Sequence, residues 1–308
     1  MRPRFPKRRG RRPRHAHQHL ALMRGGIRLV RRHPVLALVL LLIGAAWYGV
    51  ETQIARPAMV HAGLPVLDAE EIHFLRVLRN QAFMVGYSER LGNPLWVSYQ
   101  VLPHPEQGSP APRPGRFRED WRTIRCLTMF ACVDHDSYTG SGFDRGHLAP
   151  NHVIASRYGA RAQAQTFLMT NVSPQRPELN QGPWRAVEML AADELSESHG
   201  AFWVITGPVF DARKRAYLPG IARIAIPDAF YKILLRETDD GPVALAFLMP
   251  QTVAQDAEPT DYLVTIREIE RRTGLDFFHE LPDDIENRLE TTITTDAWAL
   301  PATPTGKR

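Results

Sequence analysis

The residues whose types are best suited to carry out chemistry lie in one short stretch and one later segment. Residues 144–150 read Asp-Arg-Gly-His-Leu-Ala-Pro, Asn180 follows 33 residues after His147, and Glu188 comes eight residues later. Histidine accepts protons near neutral pH, and the arginine two positions earlier offers a planar cation for phosphate. Amide and carboxylate oxygens can hold a hydrated Mg²⁺ ion. These residue types predict a site for phosphodiester hydrolysis.

Each of these residues also has a purely structural interpretation. His147 alone could be a structural histidine, but on an extended segment its side chain and that of Arg145 would point the same way. Asn180 could be a helix N-cap, a position that also exposes its amide toward a cleft. Glu188, two helical turns further on, could be an ordinary surface carboxylate or could orient a water on a metal. The grouping favours the chemical interpretation.

Hydrophobic spacing predicts the elements that must position these side chains. Helices are predicted over 69–90, over 180–198 with Asn180 at its start, and over 261–273 before Gly274. Strands are predicted at 96–102, 143–148, 167–172, 202–209, 231–236 and 243–250. Strands and helices that do not strictly alternate indicate an α+β fold.

The positive charge of the chain is concentrated at its N-terminus. Residues 1–33 hold 12 of the 38 Lys and Arg residues and no acidic residue, which leaves 26 basic and 33 acidic side chains elsewhere, a net charge of −7. Bulk charge therefore gives no support for a polyanionic partner of the folded part. A local patch is the remaining candidate, and its members are Arg113, Arg116, Arg118, Arg122 and Arg125.

An uncharged run at residues 34–50 predicts a membrane anchor. Its 17 residues would span about 25 Å as a helix, the short end of what crosses a bilayer. A cleaved signal peptide and a mitochondrial transit peptide are weaker alternatives, because the basic arm is long for the first and no serine precedes Ser88 for the second. Basic residues before the run would keep the N-terminus cytoplasmic and place the rest across the membrane, in the periplasm of a bacterium.

The resulting domain organisation has five parts. They are a basic cytoplasmic tail at 1–33, a single transmembrane helix at 34–50, a linker at 51–68, the main domain at 69–290 and a C-terminal tail at 291–308. Cys126 and Cys132 are the only cysteines. They could form a short-loop disulfide, which would suit an oxidising compartment, or remain two buried thiols.

Two linked blocks resemble the DNA/RNA non-specific endonucleases, the ββα-metal nucleases. The first block is residues 144–150. The second combines Thr-Asn-Val-Ser-Pro-Gln at 170–175 with Leu-Asn-Gln-Gly-Pro-Trp at 179–184 and closes with Glu188. Similarity continues in the lead-in at 136–143 and in Thr-Gly-Leu-Asp-Phe-Phe at 273–278, so that it extends from about Pro94 to Leu281.

The resemblance implies a role for each matching residue. His147 would be the general base that activates water, Asn180 the direct protein ligand of Mg²⁺ (with Mn²⁺ as an alternative), and Glu188 the holder of a metal-bound water. Arg145 would contact phosphate. Four further residues would bind substrate: Asn171 and Gln175 as cleft-lining polar groups, and Arg113 or Arg116 as the upstream arginine that stabilises the transition state.

The resemblance also implies the fold and the reaction. The fold would be a ββα-metal (His-Me finger) arrangement beside a mixed or antiparallel sheet. The reaction would be hydrolysis of DNA and RNA with little sequence preference, leaving 5′-phosphate ends, by a membrane-tethered protein that could form a homodimer. Two alternatives stay open: an inactive nucleic-acid-binding or uptake component, and a phosphodiesterase for another substrate, which the net charge of −7 would suit better.

Overall fold

The structure, a computed structural model, describes residues 32–67, 75–105, 112–211 and 215–300. It divides into two compact units, Met1–Ala55 and Arg56–Arg308. In the first unit, helix α1 (Pro34–Val50) begins with proline, whose missing N–H costs nothing at a helix start. No residue of α1 is buried. Among the described residues one helical stretch, Pro34–Met59, is long and apolar enough to cross a membrane, a criterion that a signal sequence also meets.

The second unit contains eleven strands and seven helices within the described residues. Its strands are β1 (Val66–Leu67), β2 (Leu75–Arg79), β3 (Phe83–Ser88), β4 (Asn93–Val101), β5 (Asp144–His147), β6 (Val172–Gln175), β7 (Phe202–Val209), β8 (Ala229–Arg236), β9 (Val243–Pro250), β10 (Leu263–Val264) and β11 (Leu275–Asp276). Its helices are α2 (Ile124–Leu127), α3 (Asn151–Thr166), α4 (Pro177–Gln181), α5 (Pro183–Met189), α6 (Ser196–His199), α7 (Ile266–Thr273) and α8 (Asp283–Thr291).

An antiparallel seven-stranded sheet forms the centre of this unit, in the order β10-β9-β8-β7-β4-β3-β2. Alternate residues of a strand enter different cores: Phe230 and Leu234 join one hydrophobic cluster, whereas Tyr231, Ile233 and Leu235 join another. Since both faces of the sheet are covered, β8 and β9 are almost continuously apolar instead of alternating with polar residues.

A separate two-stranded sheet joins β5 to β6 beside the main sheet. In its register His147 lies opposite Val172, and Gly146 lies opposite Ser173. The Ser173 hydroxyl donates to Asn93 Oδ1 at 2.8 Å, and the Gln251 amide donates to the Pro174 carbonyl at 2.6 Å. These buried hydrogen bonds fix the β5–β6 pair against β4 and the end of β9.

Two helix predictions were wrong in ways that matter for the site. The described part of 69–90 is the β2–β3 hairpin instead of a helix, because pairing with β4 buries the segment and overrides its local spacing; residues 69–74 lie outside the described ranges. The predicted helix 180–198 is interrupted at Gly182 and restarts at Pro183. Asn180 therefore lies near the C-terminal end of α4, and it is not an N-cap.

The segments around the main domain also have defined positions. Strand β1, in the expected linker, pairs with β11. Trp298, in the expected C-terminal tail, is buried and meets the Phe202 ring edge-on at 5.5 Å between centroids. Cys126 and Cys132 form a disulfide, so the first of the two cysteine alternatives holds in the structure.

The turn between α4 and α5 requires glycine. A Cβ placed on Gly182 would lie 2.3 Å from the carbonyl oxygen of Gln255 and 2.5 Å from that of Glu178. Neither backbone oxygen can move away as a flexible side chain could. Gly182 thus lets the turn between the helices that carry Asn180 and Glu188 pack directly against the main chain at Gln255.

We expect Gly182→Ala to lower the free energy of unfolding by about 1–3 kcal/mol, because the added methyl group overpacks a backbone contact. Urea denaturation of the variant and the wild type measures this difference. The matched control is Gly115→Ala, at an exposed glycine where an added methyl group would have no neighbouring atom within 4 Å. Equal stability of Gly182→Ala and the wild type would contradict the packing argument.

Candidate active site

Five predicted side chains line a single cleft of about 510 Å³. Arg145 and His147 come from β5, Asn180 from α4, Glu188 from α5, and Arg113 from the segment before α2. The β5–β6 pair and the two short helices that follow it bring Arg145, His147, Asn180 and Glu188 together, and the segment before α2 adds Arg113, 75 positions before Glu188. These five residues therefore bring a proton acceptor, two guanidinium groups and two side chains with ligand oxygens into the cleft.

Asp144 determines which end of the Asn180 amide is available. Its Oδ2 accepts a hydrogen bond from Asn180 Nδ2 at 2.9 Å and another from Gln181 Nε2 at 2.8 Å. Because the amide nitrogen of Asn180 is committed to this carboxylate, its Oδ1 is the atom left to act as an acceptor or ligand. Sequence reasoning missed this role, although Asp144 opens the motif.

His147 packs against two aromatic rings that also contact each other. The centroids of Phe117 and Phe167 are each 5.0 Å from the imidazole centroid. Its Nε2 is buried and has no hydrogen-bond partner among the described residues. Burial lowers the pKa of His147 to about 3, with a further contribution from the positive charge of Arg113. The imidazole is thus neutral at physiological pH and able to accept a proton.

Two of the cleft arginines, Arg145 and Arg113, are held by groups that leave their charge uncompensated among the described residues. Arg145 donates through Nε and Nη2 to the main-chain oxygen of His135, at 3.1 and 2.7 Å, and its Cζ lies 5.7 Å from the Tyr138 ring centroid. Arg113 has its Cζ 5.5 Å from the Phe167 ring centroid. Carbonyl and aromatic contacts orient a guanidinium without neutralising it, so both keep full attraction for an anion.

Arg113 is the upstream arginine that reaches the cleft, and the rest of the predicted arginine patch is engaged elsewhere. Four of its members use their guanidinium groups on neighbours: Arg116 on Asp136, Arg118 on the Ala164 carbonyl, Arg122 on Asp120 and Arg125 on the Ala222 carbonyl. Arg116, the alternative to Arg113, does not line the cleft. The five arginines thus do not form one free cationic surface.

Glu188 connects the cleft to the interior. Its Oε1 is 3.4 Å from Nζ of Lys232, which is fully buried on β8 and lies 4.4 Å from the Trp184 ring centroid. Burial raises the pKa of Glu188 and lowers the pKa of Lys232, and the attraction between the two groups opposes both shifts. Because the Lys232 ammonium group has no exposed surface, its charge depends on Glu188, whereas the Glu188 carboxylate is also reached by water from the cleft.

The family model for DNA/RNA non-specific endonucleases matches residues 73–284, more than half of the chain. The chain belongs to this family. It is 34% identical over 209 residues to human mitochondrial Endonuclease G, covering 64% of this chain and 67% of that protein. It is 30% identical over 204 residues to a nuclease of Serratia marcescens, covering 63% of this chain and 72% of that protein.

A solved structure shares the fold of this family member. The structure of an EndoG/EndoGI complex, which concerns EndoG inhibition, superimposes with a TM-score of 0.60 at 23% sequence identity, covering 73% of this chain and 91% of that one. The α+β architecture with an antiparallel sheet is therefore confirmed.

Two residues expected to line the cleft of this endonuclease-family chain are instead buried below it. Asn171 donates to the carbonyls of Ala149 and Thr166, both at 3.0 Å, and accepts from the Ala149 N–H at 2.9 Å. Gln175 has no exposed surface, and its Oε1 would lie 2.0 Å from a Cβ on Gly146. Neither side chain therefore lines the cleft in the structure: Asn171 links the chain after β5 to the end of α3, and Gln175 packs against Gly146.

Several cleft residues had not been expected from the sequence. Asn151 and His152 at the start of α3, together with Gln181 and Arg185, also line the cleft. Arg185 gives a signal that sequence reasoning could have used, since it is a cation one position after Trp184 in the second motif block. Lys232 gives another, as the charged residue inside an otherwise apolar strand.

The oxygen donors in the cleft fit a hard divalent cation. Asn180 Oδ1 is freed by Asp144, and Glu188 presents a carboxylate at the cleft wall. Two protein oxygens suit Mg²⁺, which keeps most of its waters. Elsewhere, Glu270, Asp276 and Glu290 place ligand atoms within 4.8 Å of one another, but Arg267 already pairs with Glu270 at 3.5 Å and with Glu290 at 2.7 Å.

The depressed pKa of His147 predicts a pH-dependent contribution to stability. An unfolded histidine titrates near 6.5, whereas the folded one titrates near 3, so the contribution is complete above pH 6.5 and is lost as the pH falls toward 3. Between pH 8 and pH 5 the free energy of unfolding of the wild type should fall by about 2 kcal/mol more than that of His147→Gln.

Urea denaturation of both proteins at the two pH values, without added metal, provides this measurement. His104→Gln, at an exposed histidine, is the matched control and should follow the wild type. A constant difference between the wild type and His147→Gln at pH 8 and pH 5 would show that His147 is not held neutral by burial.

Proposed function

We propose that the chain is a metal-dependent endonuclease that hydrolyses phosphodiester bonds of DNA and RNA with little sequence preference. The observation that supports this function is the convergence of His147, Asn180, Glu188 and two arginines on one cleft in a member of the nuclease family. The relatives it matches are named as nucleases from a mitochondrion and from a bacterium.

His147 is the group that takes the proton from water. As the water oxygen forms its bond to phosphorus, the imidazole accepts the proton, and the bond from phosphorus to the 3′ oxygen breaks, which leaves a 5′-phosphate end. A neutral imidazole enclosed by Phe117 and Phe167 is ready for this step, because no proton must first be removed from it.

Arg145 and Arg113 bind and neutralise the phosphate. The charge that gathers on its oxygens during attack meets two guanidinium groups that carry no carboxylate partner in the cleft. This local attraction is what draws substrate to a domain region whose net charge is negative.

Asn180 and Glu188 are the residues that would hold Mg²⁺ or Mn²⁺, Asn180 directly through Oδ1 and Glu188 through a water molecule. The bound cation would supply positive charge beside the phosphate and the departing oxygen. Asp144 keeps the Asn180 amide turned for this role by accepting its N–H hydrogen bond.

We also infer that α1 anchors the catalytic domain to a membrane, with the domain on the non-cytoplasmic side. The support is an exposed, uncharged helix preceded by twelve basic residues. The Cys126–Cys132 disulfide agrees with an oxidising location for the domain.

The full chain in detergent should cut plasmid DNA, single-stranded DNA and RNA with Mg²⁺ or Mn²⁺ and stop with EDTA. His147→Ala should lower the cleavage rate at least about 100-fold, since a general base contributes about that much or more. His104→Ala, at an exposed histidine away from the cleft, is the matched control. Gel assays of the three substrates measure these rates.

Other outcomes of this assay separate the alternatives. Binding of nucleic acid without cutting would identify a binding component. Turnover of a small phosphodiester alone would identify a phosphodiesterase for another substrate. Full activity of His147→Ala, or cutting that persists in EDTA, would contradict the mechanism.

A further inference from the structure

A fully buried lysine lies beneath the cleft. Lys232 is in the middle of β8, opposite Thr206 on β7 and Phe247 on β9, and its side chain has no exposed surface. The strand reads Ala-Phe-Tyr-Lys-Ile-Leu-Leu-Arg. Apart from Lys232 and the final arginine, all of its residues are apolar or aromatic. Lysine is almost never found in such a position without a specific partner.

The partner is a cleft residue. Lys232 Nζ lies 3.4 Å from Glu188 Oε1 and 4.4 Å from the centroid of the Trp184 ring. Glu188 is 20% exposed and lines the cleft, one helical turn after Trp184 on α5. Lys232 therefore reaches from the centre of the sheet to the inner side of a carboxylate whose outer side faces the cleft.

Stability alone does not account for this pair. Desolvating two charges costs several kcal/mol per ion, and replacing a buried ion pair by apolar groups of similar volume is often neutral or stabilising. A methionine or leucine at position 232 would complete the hydrophobic cluster that includes Phe230 and Leu234. The core around position 232 therefore does not require a lysine, and the contact with Glu188 is the interaction that only the lysine provides.

We propose that Lys232 is a positioning residue that holds the Glu188 carboxylate by Oε1 so that Oε2 faces the cleft. The Trp184 ring, one turn before Glu188 on the same helix, lies 4.4 Å from the ammonium group and adds a cation–π contact that holds it beside the carboxylate. The proposal rests on the proposed function, in which Glu188 holds the cation through water. Lys232 itself would not touch the substrate or the cation and would act only through the Glu188 carboxylate.

A double-mutant cycle on stability tests the coupling without any activity. Lys232→Met should leave the Tm of the metal-free full chain unchanged or higher, because the carboxylate that it leaves without a partner is 20% exposed and is solvated from the cleft. Glu188→Gln should lower the Tm by about 5–10 °C, because it leaves a buried ammonium group unpaired, and adding Lys232→Met should restore it. Leu234→Met, a volume-conserving change on the same face of β8, is the matched control.

The same variants test positioning through metal binding and kinetics. Lys232→Met should weaken Mn²⁺ binding, measured by calorimetry, about 10–100-fold and lower kcat by a similar factor with little change in KM for DNA, as loss of a group that orients a metal-site residue does. In the Glu188→Gln background, Lys232→Met should lower the Mn²⁺ affinity and kcat by less than a further twofold, because Lys232 acts through Glu188.

Three results would overturn the proposal: unchanged Mn²⁺ affinity and kcat in Lys232→Met, independent effects of the two substitutions, or a Lys232→Met chain that does not fold. The last would make Lys232 a requirement of the core. If the wild type cuts no nucleic acid, the proposed function fails, whereas the Tm cycle and the Mn²⁺ titration still decide the coupling of Lys232 to Glu188.

Discussion

The antiparallel pairing of β5 with β6 is the constraint on which the arrangement of the cleft depends. It places His147 opposite Val172, and it directs the chain after Gln175 into α4, where Asn180 meets Asp144 of the partner strand. The pair is held by buried hydrogen bonds from Ser173 and Asn171. A shift of one residue in this register would turn His147 away from the cleft, since side chains alternate between faces.

In the cleft and directly beneath it, polar side chains are buried or half-buried, which is costly unless they are paired. Asp144 accepts a hydrogen bond from the Asn180 amide, and Lys232 pairs with the Glu188 carboxylate. Burial against two aromatic rings keeps His147 neutral. Asp144 and Lys232 each have a defined hydrogen-bond partner, and His147 packs against Phe117 and Phe167, so these contacts hold the side chains of the cleft in place. Under the proposed function, the local charge of Arg113 and Arg145 is what attracts the phosphate to a domain of negative net charge.

Motif spacing in the sequence was enough to predict the family and five of the cleft residues. The strands at 96–102, 202–209, 231–236 and 243–250 were recognised because sustained apolar runs are a strong local signal. The segment 69–90 misled because its apolar spacing suits either a helix or a hairpin, and only pairing with β4 decides between them.

Other predictions about the site were wrong or missing because a sequence does not show which side chains contact one another in the fold. Asn171 and Gln175 lie in the motif like true cleft residues, yet the strand geometry turns them inward. Lys232 went unnoticed because its partner is 44 residues away on another element. The break before Pro183 was readable from the proline and the preceding glycine, and it moves Asn180 from a helix start to a helix end.

The central claim is that Asn180 holds the catalytic cation in the same cleft as His147. The most direct test is a crystal structure of the protein with Mn²⁺, in which anomalous scattering locates the ion. The account predicts a peak at coordination distance from Asn180 Oδ1, with Glu188 nearby. A crystal saturated with Mn²⁺ but without a peak at Asn180, for example with the ion only among Glu270, Asp276 and Glu290, would contradict it.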